Sequence, residues 1–288
     1  MLITEARRSC YRNDFEIDID GNVYALDSTT IDLCLSIFWW AEFRKHKGGI
    51  KLHTLFDIKT SIPSFIHITT ARVHDVNIMD LIAYERGSFY VADKGYTDFH
   101  RLHRINANGS FFVIRAKENL QFHRMYSRAA DKTTGVINDQ VGRLLGYKSR
   151  NEYPEKLRRI KYYDAEHDKD LVFLTNNMEL SASEIAFLYK KRWEVELFFK
   201  WMKQHLKIKS FWGTTLNAVK IQIYCAIIAY CLVALVGYKL KVERSIYEIL
   251  QILSISLLDE APIKEILTRC DYNNVKELKN KQLIISGF

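Results

Sequence analysis

The sequence predicts an α/β protein. Three observations carry that reading. Residues 23–115 alternate strand-type runs with short helical ones; residues 116–176 lose the helical period and carry strand-like runs; and two long apolar segments of helical period follow, at 182–206 and 216–240. The 288 residues suffice for one large domain or two smaller ones, and 48% apolar with 13% aromatic residues excludes global disorder. With 12 Gly and 3 Pro, collagen-like and low-complexity classes are excluded as well. A net charge of +8 suits a polyanionic partner without naming one.

The elements follow in order. Residues 23–31 (VYALDSTTI) are rich in β-branched and aromatic types. Gly48-Gly49 opens 50–58 (IKLHTLFDI), and Pro63 precedes 64–72 (SFIHITTAR); both alternate in polarity. Asp75 or Asn77 can cap a helix over 78–86, which Gly87 ends. Residues 88–92 (SFYVA) read as a short strand. Asp98 can cap a helix over 99–105, closed by Asn108-Gly109, and 111–115 (FFVIR) is a further strand. Within 116–176, strands are expected at 156–163 and 171–175. Ser181 or Ser183, with Glu184 nearby, caps a single long helix over 182–206. A second helix covers 216–240, and shorter helices run from Ser245 onward.

The N-terminal residues have no apolar core of a secretory signal. Residues 221–238 carry no formal charge over 18 positions, near the length of a membrane span. Gln222, Gly237 and three Tyr within them fit a buried helix equally well. The cysteines, Cys10, Cys34, Cys225, Cys231 and Cys270, form no CxxC pair, so reduced thiols in a cytoplasmic protein are expected.

On the long helix, Tyr189, Arg192, Glu196 and Lys203 fall within about a 60° arc at 100° per residue. The rest of that helix is largely apolar, so the charges must pair or hold a ligand. Taken alone, a structural ion pair of Glu196 with Arg192 or Lys200 is the plainer reading. Two aspartates change that balance: Asp27 within or at the end of the first strand, and Asp93 just after SFYVA. On adjacent strands, with Glu196 from a late helix, the three carboxylates can converge. Such hard oxygen donors suit Mg²⁺ or Mn²⁺, and a pair of such ions serves in-line phosphodiester displacement.

The run Tyr189-x2-Arg192-x3-Glu196-x6-Lys203 resembles the YREK signature of insertion-sequence-4 type DDE transposases. Asp27-Ser28-Thr29 is similar to that family's first-aspartate motif, and Asp93-Lys94-Gly95-Tyr96 to its second, where an Arg is more usual than Lys94. Phe112-Val113-Ile114-Arg115-x-Lys117 and Phe173-Leu174-Thr175-Asn176 resemble segments flanking the family's insertion. The resemblance runs from about residue 20 to the end. It implies a ribonuclease H-like mixed sheet flanked by helices, with a β-rich insertion before the last catalytic carboxylate. The spacings agree, at 66 residues from Asp27 to Asp93 and 103 from Asp93 to Glu196. The implied division is a first part of the core at 1–115, the insertion at 116–176, the remainder of the core at 177–240, and a helical region at 241–288.

The resemblance makes Asp27, Asp93 and Glu196 the catalytic residues and the metal ligands, for two Mg²⁺ or Mn²⁺ ions. Tyr189, Arg192 and Lys203 would hold phosphates; Lys200 and Lys207 are added from the basic run 189–209, which has seven basic and two acidic residues. Interleaved with Trp193, Trp201 and Trp212, that run reads as a DNA-tracking surface. His53 reads as a sheet-face histidine and His74-Asp75 as a turn. The 221–238 run becomes a core helix, with no membrane partner.

The implied function is cleavage of DNA at element ends and strand transfer into a target duplex, by a homodimer in the DNA complex. Asp27 lies close to the start, so a family DNA-binding region is expected to be missing. That opens an alternative, a catalytically silent regulator that binds DNA or joins a full-length enzyme. A nuclease outside transposition shares the metal site but gives no reason for the Tyr189, Arg192 and Lys203 stripe.

Overall fold

β1 (Val23–Leu33) is the strand around which the sheet is ordered. It pairs antiparallel with β3 (Lys47–Asp57), which follows the short β2 (Glu42–Arg44), and β3 in turn pairs with β4 (Ile62–Thr70). On its other edge β1 runs parallel to β5 (Phe89–Ala92), and β5 parallel to β6 (Phe111–Arg115). Four more strands extend the same sheet antiparallel from β6: β7 (Phe122–Arg128), β8 (Val136–Leu144), β9 (Leu157–Asp164) and β10 (Lys169–Thr175). The strand order is β2-β3-β1-β5-β6-β10-β9-β8-β7, with β4 on β3. This computed structural model describes residues 2–10, 15–45, 47–205, 211–256 and 260–269. The fold is mixed α/β, one large mixed sheet with helices on both faces, as expected.

Alternation along β1 divides the core in two. Val23, Ala25 and Ile31 enter one apolar cluster; Tyr24 and Leu26 enter the other. The first cluster lies under α1 (Leu2–Ser9), α4 (Ala182–Lys191), α5 (Trp193–His205) and α6 (Leu216–Lys239). The second lies under α2 (Phe99–Ala107), with α3 (Tyr147–Glu152) beside it. α7 (Ile246–Ser256) packs on α6, and α8 (Ile263–Arg269) on α7. Before β1 the chain passes so close to the turn at Gly87 that a Cβ on Gly21 would sit 2.1 Å from the Gly87 carbonyl oxygen, and Gly87 itself has φ +78°. Both positions need glycine for that crossing.

Most sequence-predicted elements are present; α1, β2 and α3 were not expected, and three further differences matter more. The expected helix at 78–86 is a 3₁₀ turn at Asp75–Asp80 followed by irregular chain up to the turn at Gly87, with His74 at its start. β7 and β8 were not anticipated; β7 is exposed along most of its length and offers no alternation to detect. The single helix expected at 182–206 is two helices broken at Arg192. There the Arg192 N–H donates to the Tyr189 carbonyl at 3.1 Å and the Val195 N–H to the Arg192 carbonyl at 3.2 Å. These are three-residue bonds, so the helix tightens by one step at that residue.

α6 is long and apolar enough to span a membrane by length and composition, but 44% of its most apolar window is buried in the protein. Val219, Ile223, Ile227 and Cys231 lie in the core, and the Tyr230 hydroxyl donates to the Ser61 carbonyl at 2.8 Å.

Candidate active site

The register of β1 on β5 sets the first two carboxylates side by side. Leu26 pairs with Ala92, so Asp27 and Asp93 are the next residue on each of two parallel strands. They share the face of Ala25 and Val91, the one covered by α4 and α5. The Ser28 N–H donates to Asp27 Oδ1 at 2.8 Å. Across the antiparallel edge, Thr54 stands opposite Asp27.

α4 and α5 bring the remaining groups. Ser181 caps α4 through a full capping box with Glu184, which fixes where the helix starts. The Tyr189 hydroxyl donates to Asp93 Oδ1 at 3.2 Å. Arg192, at the break, donates through Nη1 to Asp27 Oδ2 at 2.9 Å and through Nη2 to Glu196 Oε1 at 2.6 Å. Its guanidinium lies 5.5 Å from the centre of the Tyr189 ring. Two acids from distant parts of the chain therefore share one guanidinium, while the third holds a phenol.

The electrostatics follow from that packing. Burial pushes the Asp27 carboxyl up to about 6; Arg192 and the Ser28 N–H pull it down, and the nearby Glu196 and Asp93 charges push it up. Burial works against the Arg192 charge, but Tyr189, Asp27 and Glu196 outweigh it and hold the guanidinium above its ordinary value. Burial also raises the Tyr189 phenol to about 12, so it is neutral and donates at physiological pH.

The structure brings Asp27, Asp93, Tyr189, Arg192 and Glu196 together in one bonded group. Lys203 is half-buried on α5 and Lys200 is exposed there; Lys207 lies outside the described residues. Trp193 and Trp212 are exposed, at 57% and 92%, but Trp201 is 2% exposed, with its ring centre 5.3 Å from that of Tyr230. Trp201 is a core residue and is removed from the expected DNA-tracking surface. His53 is fully buried, its Nε2 bonded to Thr69 Oγ1 at 2.9 Å, as a sheet-face histidine should be.

Three carboxylates are the hard donors a divalent ion requires, and mutual repulsion of Asp27, Asp93 and Glu196 is relieved by a cation. In this arrangement the cation between Asp27 and Glu196 is Arg192. The three acids are not all within 4.8 Å of one another; among the described residues the group that meets that limit is Asp164, Glu166 and His167, on the β9–β10 hairpin. That group is local, within four consecutive residues of the turn, and was not singled out from the sequence.

Comparisons with known proteins bear on the whole core. Residues 19–232 match the family model described as the transposase DDE domain. A protein of Sinorhizobium fredii described as transposase y4zB is 38% identical over 211 residues, covering 72% of this chain and 58% of its own length. A Geobacillus stearothermophilus protein, described as the transposase for insertion sequence element IS5377, is 32% identical over 209 residues, covering 72% of this chain and 54% of its own. This chain thus spans little more than half the length of these relatives. A piggyBac transposase synaptic complex with hairpin DNA aligns at a TM-score of 0.46 and 11% identity, over 93% of this chain and 59% of that one. With a family match across the stretch that holds Asp27, Asp93, Tyr189, Arg192 and Glu196, this chain belongs to the DDE-domain transposases.

Proposed function

We propose that this chain cleaves DNA at the ends of an insertion sequence and transfers the freed 3′-hydroxyl to a target duplex. The observation that carries the reading is the side-by-side placement of Asp27 and Asp93, tied through Arg192 and Tyr189 to the helix that bears Glu196. Asp27, Asp93 and Glu196 would hold divalent ions, Mg²⁺ or Mn²⁺, two per site. When bound, such ions activate the attacking oxygen and stabilise the leaving one.

The chain's own residues do the rest. Asp27 and Glu196, both bonded to Arg192 in this structure, would hold the ions, and the guanidinium would then be released from them. Arg192 then offers its planar fork to a phosphate of the element end. Tyr189, held neutral, donates a hydrogen bond from beside Asp93, and Lys203, Lys200 and Lys207 add positive charge along the same helix and just beyond it. Residues 1–115 and 177–240 form the core in this reading and 116–176 the insertion; of the helical region expected at 241–288, α7 and α8 are described, and 270–288 lie outside the described residues. Two copies act together on the DNA in the cytoplasm.

The test is nicking of duplex DNA carrying the element's own ends. Mg²⁺-dependent nicking by this chain, lost in Glu196→Gln with DNA binding retained, supports the proposal. Equal nicking by that variant overturns the metal mechanism, and DNA binding without any nicking by the unaltered chain supports the silent regulator instead.

A further inference from the structure

Beyond the site, on the β6 side of Asp93, a cleft opens at the ends of β5 and β6. Lys94, Arg115, Lys117 and Arg159 line it. Lys94 directly follows Asp93. Arg115 ends β6 and lies near enough to Tyr189 for its charge to act on the phenol. The cleft also holds two acids, Glu118 and Asp170, and Asp170 is engaged by Lys161 Nζ at 2.7 Å. Among the described residues, no carboxylate lies within ion-pair distance of Lys94, Arg115, Lys117, Arg159 or the neighbouring Arg124. Four cations face one unengaged acid.

A basic surface is often only solvated, with long side chains moving freely. Arg159 is not of that kind. Its Nε and Nη2 donate to Gln140 Oε1 at 3.1 and 2.6 Å, and its guanidinium lies 4.6 Å from the centre of the Phe122 ring. It is held flat and in one place, although burial and the nearby Arg124 charge both disfavour its ionised form. Nη1 takes part in neither bond. A fixed guanidinium with an open edge, among cations that no acid neutralises, matches the oxygens of a phosphodiester.

We propose that this cleft is a second phosphate-binding track, taking the DNA backbone as it leaves the carboxylates toward the insertion strands. It rests on the transposase reading and deepens it. Arg115 shares the face of Val113 and the carboxylates, whereas Arg159 stands opposite Leu174 on the α2 face, so the track turns around the end of β6 from one face of the sheet to the other. Its contacts are to backbone and do not depend on base sequence.

The experiment measures binding of a duplex of about 30 base pairs of arbitrary sequence by fluorescence anisotropy across a salt series. The unaltered chain is compared with Arg115→Gln/Arg159→Gln, with the charge-preserving Arg115→Lys/Arg159→Lys, and with Lys264→Gln on α8. Thermal melting of each confirms folding. The expected result is a fall of about 2 in the slope of log K against log salt for the Gln pair, with about tenfold weaker binding. The Lys pair and Lys264→Gln should keep the original slope. An unchanged slope in the folded Gln pair overturns the track alone. Failure of the unaltered chain to bind DNA in a salt-dependent way overturns the transposase reading and the track with it.

Discussion

Replacing Arg192 with Gln should make the DNA-free protein bind divalent ions more tightly, while weakening its grip on DNA. Arg192 donates to Asp27 at 2.9 Å and to Glu196 at 2.6 Å, so it occupies the two oxygens an ion would use. An ion about 2.1 Å from the same Asp27 oxygen would lie at most about 5 Å from the guanidinium nitrogen. A unit and a double charge at that separation repel by about 1.7 kcal/mol in water, and salt screening cuts this toward about 1. Burial raises it, because Arg192 and Asp27 side chains are only 14% and 20% exposed. Between those opposing corrections the expected gain is about tenfold in Mn²⁺ affinity. Titration of the metal-free protein, read from the electron paramagnetic resonance of free Mn²⁺, measures it directly. Adding Glu196→Gln to the variant should cancel most of the gain. If Arg192→Gln binds Mn²⁺ no tighter than the unaltered chain, Arg192 is not an internal counter-ion and the reasoning fails.

Three further outcomes follow from the same packing. Tyr189→Phe loses the bond to Asp93 and should lower stability in urea by about 1 kcal/mol; a shift near zero would mean that bond does not form in solution. Arg158→Leu breaks a pair whose side chains are 1% and 2% exposed and leaves Asp139 only the longer 3.8 Å pair with Arg128, and should cost about 3 kcal/mol, or about 10 °C in melting temperature. Changing both residues to Leu should recover most of that loss, and equal melting of single and double variants would count against it. His53, drawn down to about 4 by burial, stays neutral in the fold while the unfolded chain takes a proton near 6.5. The stability it contributes is therefore complete above pH 6.5 and drains as pH falls to 4, by about 3 kcal/mol in all. His53→Gln should flatten that limb of the stability profile, and parallel profiles would contradict the assignment.

Local chemistry was readable from the sequence wherever one segment decides its own structure. Asp98 does cap α2, accepting from the Arg101 N–H at 3.0 Å, and Ser181 with Glu184 does open α4. Alternation located β3 and β4, β-branched and aromatic content located β1, and family motifs pointed to Asp27, Asp93, Tyr189, Arg192 and Glu196 before their contacts were known. What escaped depends on tertiary context. The break at Arg192 involves no Pro or Gly, and its backbone stays in the right-handed helical region, so no residue type announces it. It coincides with the bonds from Arg192 to Asp27 and Glu196. Trp201 misled because a basic and aromatic run says nothing of which side faces the core. The buried Arg158–Asp139 pair and the Arg159–Phe122 stack join different strands, and they form only once the register of β7, β8 and β9 is set.

The most direct test of the account is a Mn²⁺ anomalous difference map from crystals of the protein bound to element-end DNA. The account predicts density bounded by the carboxylates of Asp27, Asp93 and Glu196, with the Arg192 guanidinium turned to a phosphate. Density confined to Asp164, Glu166 and His167, with Arg192 still bridging Asp27 and Glu196, would contradict it.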